Sequence, residues 1–492
     1  MKPPHRSNLY GGFAGSALLI VIYLAVANLL TKTVDYRIAL YSIIALLGIA
    51  TVIGGEEGLI LAFLGWIATF ALGYRTMALT SNLKIHPAEI ILAVLFVLIF
   101  TARQSRATRV RRMLIPGWLF LLTPFWIWGW FLGLQNKFPK DAMLSEARNF
   151  IMLFPIFIVA STMLCDRERW RTVTAVLYGT GTWIAAWGVA EYHFPVIRKL
   201  FPGFITIAGA QSYTGDGFAR AGFSFWGNPS ATYTCALAIP LAIPLWRWFP
   251  KPWQRTLLLG AIVLMADGVY IGGFRILWAA LAIQFALFAY IKKRYILAGV
   301  AMLAMLGAYT LIPDAAQKRL GTFFEVLHGT PAATDSSGQK HLNGLIDGVN
   351  QALDEPMGIG WTGAGWVHCD FVQMAADLGI PAGLIYLGAW LLTLLRLMDR
   401  AARRGMTAEY RDLVVAVLLA FTTAGALLAT QAVSVLPQLA YPVWFSWVMA
   451  EIVSRQSSFE GRRKIASSYL RSAAGVELRN HDPQHAGVRQ LG

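Results

Sequence analysis

Residues 412–430 read DLVVAVLLAFTTAGALLAT, with a single charge at the first position and none after it. As a helix, a run of this length crosses a hydrocarbon core of about 30 Å, and lipid leaves only helices or closed barrels as spanning forms. Runs of the same kind lie on both sides of it, at 11–30, 38–53, 58–74, 86–101, 113–133, 147–164, 172–191, 229–249, 256–271, 274–291, 295–312, 371–395 and 435–452. The chain therefore reads as an all-α polytopic integral membrane protein with about 14 transmembrane helices. The first run is too long, and too closely followed by others, for a cleaved signal peptide. Composition agrees: 57% of residues are hydrophobic and 14% charged, against about 45–50% and about 25% in soluble domains. Cys165, Cys235 and Cys369 show neither metal nor redox spacing.

The net charge of +16 sits mainly in alternate loops. Arg103, Arg106, Arg109, Arg111 and Arg112 share one; Arg167, Arg169 and Arg171 the next; then Arg247, Lys251 and Arg255; then Lys292, Lys293 and Arg294; then Arg396, Arg400, Arg403, Arg404 and Arg411. The GGEEG turn at 54–58 is the one loop of this set without a base. This positive-inside pattern places both termini in the cytoplasm, with the charge facing membrane lipids and no nucleic acid expected as partner. Two loops on the opposite side are long, about 192–228 and 313–370. The second carries the polar piece HGTPAATDSSGQKH and then the helix-like LNGLIDGVNQALDEP. The chain divides into a membrane domain, 1–454, and a basic polar tail, 455–492, which reads as a disordered cytoplasmic extension.

Three residues on the opposite side carry the chemistry that this composition makes conspicuous. Arg220 closes the first long loop in ARAGFSFWGNPSATYTCALAIPL, where Phe223, Phe225 and Trp226 suit an interface and Asn228-Pro229 starts a helix. Its planar guanidinium matches phosphate oxygens in pairs, although a lipid headgroup would serve it equally. Arg275 lies in the tight turn Gly272-Gly273-Phe274-Arg275, where an arginine either faces a site or snorkels to the surface. His368 opens HCDFVQMAADLGIPAGL; an imidazole there can take a hydroxyl proton near neutral pH, or simply be solvated. Lys340 and His341 add positive charge in the same loop, and Asp370 lies two residues beyond His368. Asp267, inside the 256–271 run, needs a partner, for which Arg275 is the candidate. Zinc spacing, a nucleotide-binding glycine loop and a serine elbow are all missing, so a reaction here needs a substrate that carries its own activation.

Together these stretches resemble the O-antigen ligase and O-antigen polymerase superfamily of bacterial membrane glycosyltransferases. The resemblance rests on Arg220 to Pro244, on Gly272-Gly273-Phe274-Arg275, on Pro356-Met357-Gly358-Ile359-Gly360-Trp361 closing the long loop, and on His368 followed by Asp377 and Gly379. It covers about 215–385, and the order and common side of the motifs carry it more than any one of them. Family members often have Ser-Arg-Gly where this chain has Phe274-Arg275-Ile276, and commonly an arginine where it has Lys340 or His341. Lysine keeps the charge without the bidentate fork.

The resemblance implies a GT-C-like fold in the bacterial inner membrane and a site facing the periplasm. The donor would be a glycan on polyprenyl (undecaprenyl) pyrophosphate, and the acceptor a sugar hydroxyl on a lipid-linked repeat unit or lipid A core. Arg220 and Arg275 would hold the pyrophosphate, and His368 would deprotonate the acceptor in one inverting step. Lys340, His341, Asn228, Asp370 and Asp377 would line the substrate, without metal or cofactor. A chain-length regulator is a further expected partner. Polymerase and ligase differ only in acceptor, and the span count leans toward the polymerase. The rival readings are a transporter or permease of an anion or lipid-linked sugar, and a non-catalytic export scaffold.

Overall fold

The computed structural model describes residues 58–69, 77–78, 84–101, 114–164, 166–194, 212–213, 219–221, 228–293, 336–403, 405–431 and 437–456, with single positions at 196, 223, 299 and 433. The predicted spans 11–30, 38–53 and 295–312, most of the 192–228 loop, the 313–335 part of the second long loop and the tail from 457 lie outside these. The described chain is almost wholly helical. In order come α1 (Gly58–Thr69), α2 (Pro87–Thr101), α3 (Gly117–Gln135), α4 (Lys140–Ile151), α5 (Leu153–Met163) and α6 (Arg167–His193). Then follow α7 (Asn228–Ala238), a 3-10 turn (Ile239–Leu241), α8 (Ala242–Trp248), α9 (Pro252–Gly272) and α10 (Arg275–Ile291). The last are α11 (Ser336–Asp354), α12 (Asp370–Leu378), α13 (Ile380–Ala402), α14 (Ala408–Thr430) and α15 (Pro437–Arg455). Two antiparallel ribbons of two-residue strands complete it: β1 (Met77–Ala78) with β2 (Lys84–Ile85), and β3 (Ser212–Tyr213) with β4 (Ala219–Arg220).

Six helical segments among the described residues are long and apolar enough to cross a membrane: Gly117–Gln135, Lys140–Met163, Arg167–His193, Pro252–Gly272, Ile380–Ala402 and Ala408–Thr430. The protein is a helical, multi-pass membrane protein. Three predicted spans are corrected. The 371–395 run is two helices, because Gly379 stands at φ 100 and Pro381 has no N–H to continue the ladder; the long helix starts at Ile380. The 147–164 run extends back to Lys140, across the single helical residue Met152 that separates α4 from α5. The 229–249 run is interrupted at Ile239–Leu241, where Pro240 and Pro244 each remove a backbone donor.

Helix α14 is the core of the bundle, buried over most of its length and packed against α10, α13 and α15. Thr407 caps it by accepting the Tyr410 N–H at 3.3 Å. At this end the basic turns converge: Arg247 and Lys292 reach the two oxygens of Asp412 at 2.9 and 2.6 Å, and Arg167 meets Glu409 at 2.7 Å. Since α10 and α13 run antiparallel to α14, their starts at Arg275 and Ile380 lie together at the opposite end of the bundle.

Candidate functional site

That opposite end carries the residues singled out in the sequence. The Ala221 N–H donates to Ile271 O at 2.9 Å, which lays β4, ending in Arg220, along the last turn of α9. Gly273 then takes the left-handed conformation, φ 71, that ends α9 and lets the chain reverse into α10 at Arg275. Any side chain at Gly272 would run into Thr232 of α7. The backbones of Arg220 and Arg275 thus flank one tight turn. The Arg275 side chain is partly buried, and those of Arg220 and Asn228 lie outside the described residues. Asn228 opens α7, with Pro229 in its first turn as the sequence predicted.

Two expectations near this turn are corrected. Phe223, read as interfacial, is fully buried, its ring seated on Gly188 of α6. Asp267 pairs with His193 Nε2 at 3.5 Å, because the glycine turn takes Arg275 off the helix that carries Asp267. Phe225 and Trp226 fall outside the described residues.

His368, in the loop before α12 as the sequence reading had it, lies under α11. Its ring centroid is 3.7 Å from that of His341 and 6.1 Å from that of Trp366. Opposite its Cδ2 stands Gly344, where even a Cβ would come within 3.2 Å. Burial lowers the His368 pKa below the ordinary histidine value, so the imidazole is neutral at pH 7. Its Nδ1 is buried and hydrogen-bonds no protein group among the described residues. Lys340 is exposed on the same helix, one residue before His341. His341 and His368 are therefore brought together.

Asp370 and Asp377 are not at the surface with them. Both are fully buried in α12, and their oxygens meet protein groups. Tyr386 donates to Asp370 Oδ2 at 3.1 Å. Asp377 accepts the Ala364 N–H at 2.9 Å and the Gln373 amide at 2.6 Å, and its carboxyl group meets that of Glu146 on α4. Two buried carboxyl groups side by side repel when both are charged, which favours one of the pair keeping its proton. Burial pushes Asp377 well above the ordinary carboxylate range. Their place in this structure is as internal braces.

The brace runs on to the histidine. Gln373, while donating to Asp377, accepts the Val367 N–H at 2.8 Å, fixing the backbone next to His368. The Pro356–Trp361 element straps the other side: Ile359 N–H donates to Ala376 O at 3.1 Å, Gly360 N–H to Asp377 O at 2.8 Å, and Ile380 N–H to Pro356 O at 2.9 Å. Gly358, at φ 82, passes so close that a Cβ would stand 2.5 Å from Asp377 O. Trp361 anchors the strap in the bundle, its indole donating to Trp126 O at 3.0 Å.

Glu146 is the member that sequence reasoning missed. Its one signal was an acid immediately before the apolar run at 147–164. Among the described residues no group of three His, Cys, Asp or Glu side chains could hold a metal ion. No protein-family model matches the chain, and no curated protein matches its sequence.

Proposed function

We propose that this end of the bundle is the site of a metal-independent, inverting glycosyltransferase of the O-antigen polymerase and ligase type. In this reading the chain has a GT-C-like fold of about 14 spans in the bacterial inner membrane. Both termini are cytoplasmic, and the site faces the periplasm. The observation that carries the proposal is the setting of His368: a half-buried imidazole, its ring centroid 3.7 Å from that of His341, braced from below, at the end of the bundle that also holds the Arg220–Arg275 turn.

The chemistry uses each group once. The acceptor sugar hydroxyl gives its proton to His368 while its oxygen bonds to the anomeric carbon of the lipid-linked glycan. The bond from that carbon to the pyrophosphate oxygen breaks on the opposite face, inverting the centre. Polyprenyl pyrophosphate leaves with the electron pair, and Arg220 and Arg275 take up its charge. Lys340 and His341 face the acceptor or the outer phosphate. The activated donor supplies the driving force, so the step needs no nucleotide. The acceptor is a lipid-linked repeat unit for a polymerase and a lipid A core sugar for a ligase.

The test is transfer by the purified, reconstituted protein, given an undecaprenyl-pyrophosphate-linked oligosaccharide and a saccharide acceptor in the presence of EDTA. Release of undecaprenyl pyrophosphate that depends on acceptor and on His368 supports the reading. Movement of the intact donor or of an anion across the vesicle wall, without cleavage, would replace it with the transporter.

A further inference from the structure

The side of the bundle carries an open groove of about 830 Å³ between α6 and α9. Tyr178, Thr182, Trp183 and Ala186 line one wall and Trp253, Leu257, Ala261 and Leu264 the other, with Phe249 closing the end toward the basic turns. The volume falls within the range of about 300–1,000 Å³ typical of ligand sites. Gly179 and Gly260 form part of its lining, and a Cβ on either would meet nothing within 4 Å. From Tyr178 to Ala186 the α6 wall runs about 12 Å, close to the roughly 15 Å depth of one leaflet's hydrocarbon.

The end closed by Phe249 is charged. A second opening of about 450 Å³ shares Phe249 and is lined by Arg171, Thr172 and Glu168. Arg171 lies over the Phe249 ring at 5.4 Å and donates to Trp248 O at 3.2 Å. Lys251 is exposed directly before the Pro252–Trp253 edge, and Arg255 is stacked on Trp246 at 5.2 Å. Arg171, Lys251 and Arg255 form no ion pair with a carboxylate among the described residues, whereas Arg167, Arg247 and Lys292 nearby are all paired. Even with Glu168 counted, the mouth holds an excess of positive charge above an apolar slot one leaflet deep.

We propose that this groove binds one anionic diacyl phospholipid of the leaflet next to the basic turns. Its phosphate sits between Arg171 and Lys251, and an acyl chain lies along Gly179 and Gly260. Neutral lipid fits the slot but leaves the cations unmatched. Each basic side chain near the headgroup favours the anionic lipid by about fivefold. The site lies at the end of the bundle remote from His368 and does not depend on the glycosyltransfer reading.

The test uses the full chain in micelles doped with equal dioleoyl-phosphatidylglycerol and dioleoyl-phosphatidylcholine, with retained lipid counted by native mass spectrometry. The wild type is expected to retain one phosphatidylglycerol about fivefold or more over phosphatidylcholine. Arg171→Ala with Lys251→Ala abolishes that preference, and Gly179→Leu with Gly260→Leu loses the retained lipid itself. Circular dichroism melts report whether the glycine variant folds; if it does not, the alanine pair decides, since both side chains are exposed. Equal retention of the two lipids by the wild type, or an undiminished preference in the alanine pair, overturns the proposal.

Discussion

Gln373 holds Asp377 with its amide nitrogen at 2.6 Å while its amide oxygen accepts the Val367 N–H at 2.8 Å. One side chain therefore ties the buried acid pair to the backbone beside His368. Gln373→Leu strips a partner from each of two buried groups, and each loss costs about 1–3 kcal/mol. The variant should melt well below the wild type in the same detergent, and a melting point within about 1 °C would contradict the brace. Gln373→Glu, which keeps the acceptor but places another acid against Asp377, should also be destabilised.

The contact between Glu146 and Asp377 needs one proton, and an amide can supply the same donor. Glu146→Gln should therefore fold like the wild type and keep most of its activity. Glu146→Leu removes the donor and leaves Asp377 facing apolar surface, at a cost of about 1–3 kcal/mol. Parallel melts and transfer assays of the two variants check this. Equal loss in both would mean that the volume of Glu146, and not its hydrogen bond, is what the site needs.

Burial lowers the His368 pKa, and this fixes the sign of its pH dependence. A base works deprotonated, so transfer should be flat through neutral pH and fall only below about 6.5, the ordinary histidine value. The stability term has the same sign. The unfolded chain binds the proton first, so this contribution is complete above the unfolded value and lost as pH falls toward the lower folded one. A rate profile of the reconstituted protein between pH 5 and 8 measures the first effect. A rate that rises as the medium is acidified would assign His368 another role.

Two glycines separate close approach from mere helix propensity. Gly360 stands at φ 104, and a Cβ there would overlap the Gly133 backbone of α3, whereas one on Gly388 meets nothing within 4 Å. Gly360→Ala should lower stability by several kcal/mol and loosen the strap over α12. Gly388→Ala should be neutral or stabilise α13 by up to about 1 kcal/mol. Melts of the two variants in one detergent test the contrast, and a tolerated Gly360→Ala would show that the strap is not packed as described.

The helices were legible where hydropathy alone decides them. The 412–430 run, charged only at Asp412, becomes the buried centre of the bundle. Hydropathy ran across the break at Gly379, because α12 is buried by protein and carries its acids inward. The pairing of His341 with His368, and of Glu146 with Asp377, was not legible. Each joins residues far apart in the chain, and neither spacing nor composition encodes such a contact. The side shared by Arg220, Arg275 and His368 was read from the alternation of basic loops, and among the described residues those of Arg167, Arg247 and Lys292 meet at one end of α14.

The central claim is that His368 is the base of a glycan transfer, and the most direct measurement is a gel profile of surface and lipid-linked glycans from the native host carrying His368→Ala. Parent and null strains run alongside, with the variant's membrane level checked by blot. The account predicts normal membrane levels and a profile matching the null. Single lipid-linked repeats would accumulate if the enzyme is a polymerase, and full-length unligated chains if it is a ligase. A defective null beside an unchanged His368→Ala profile would contradict the account and move the transporter or scaffold reading ahead.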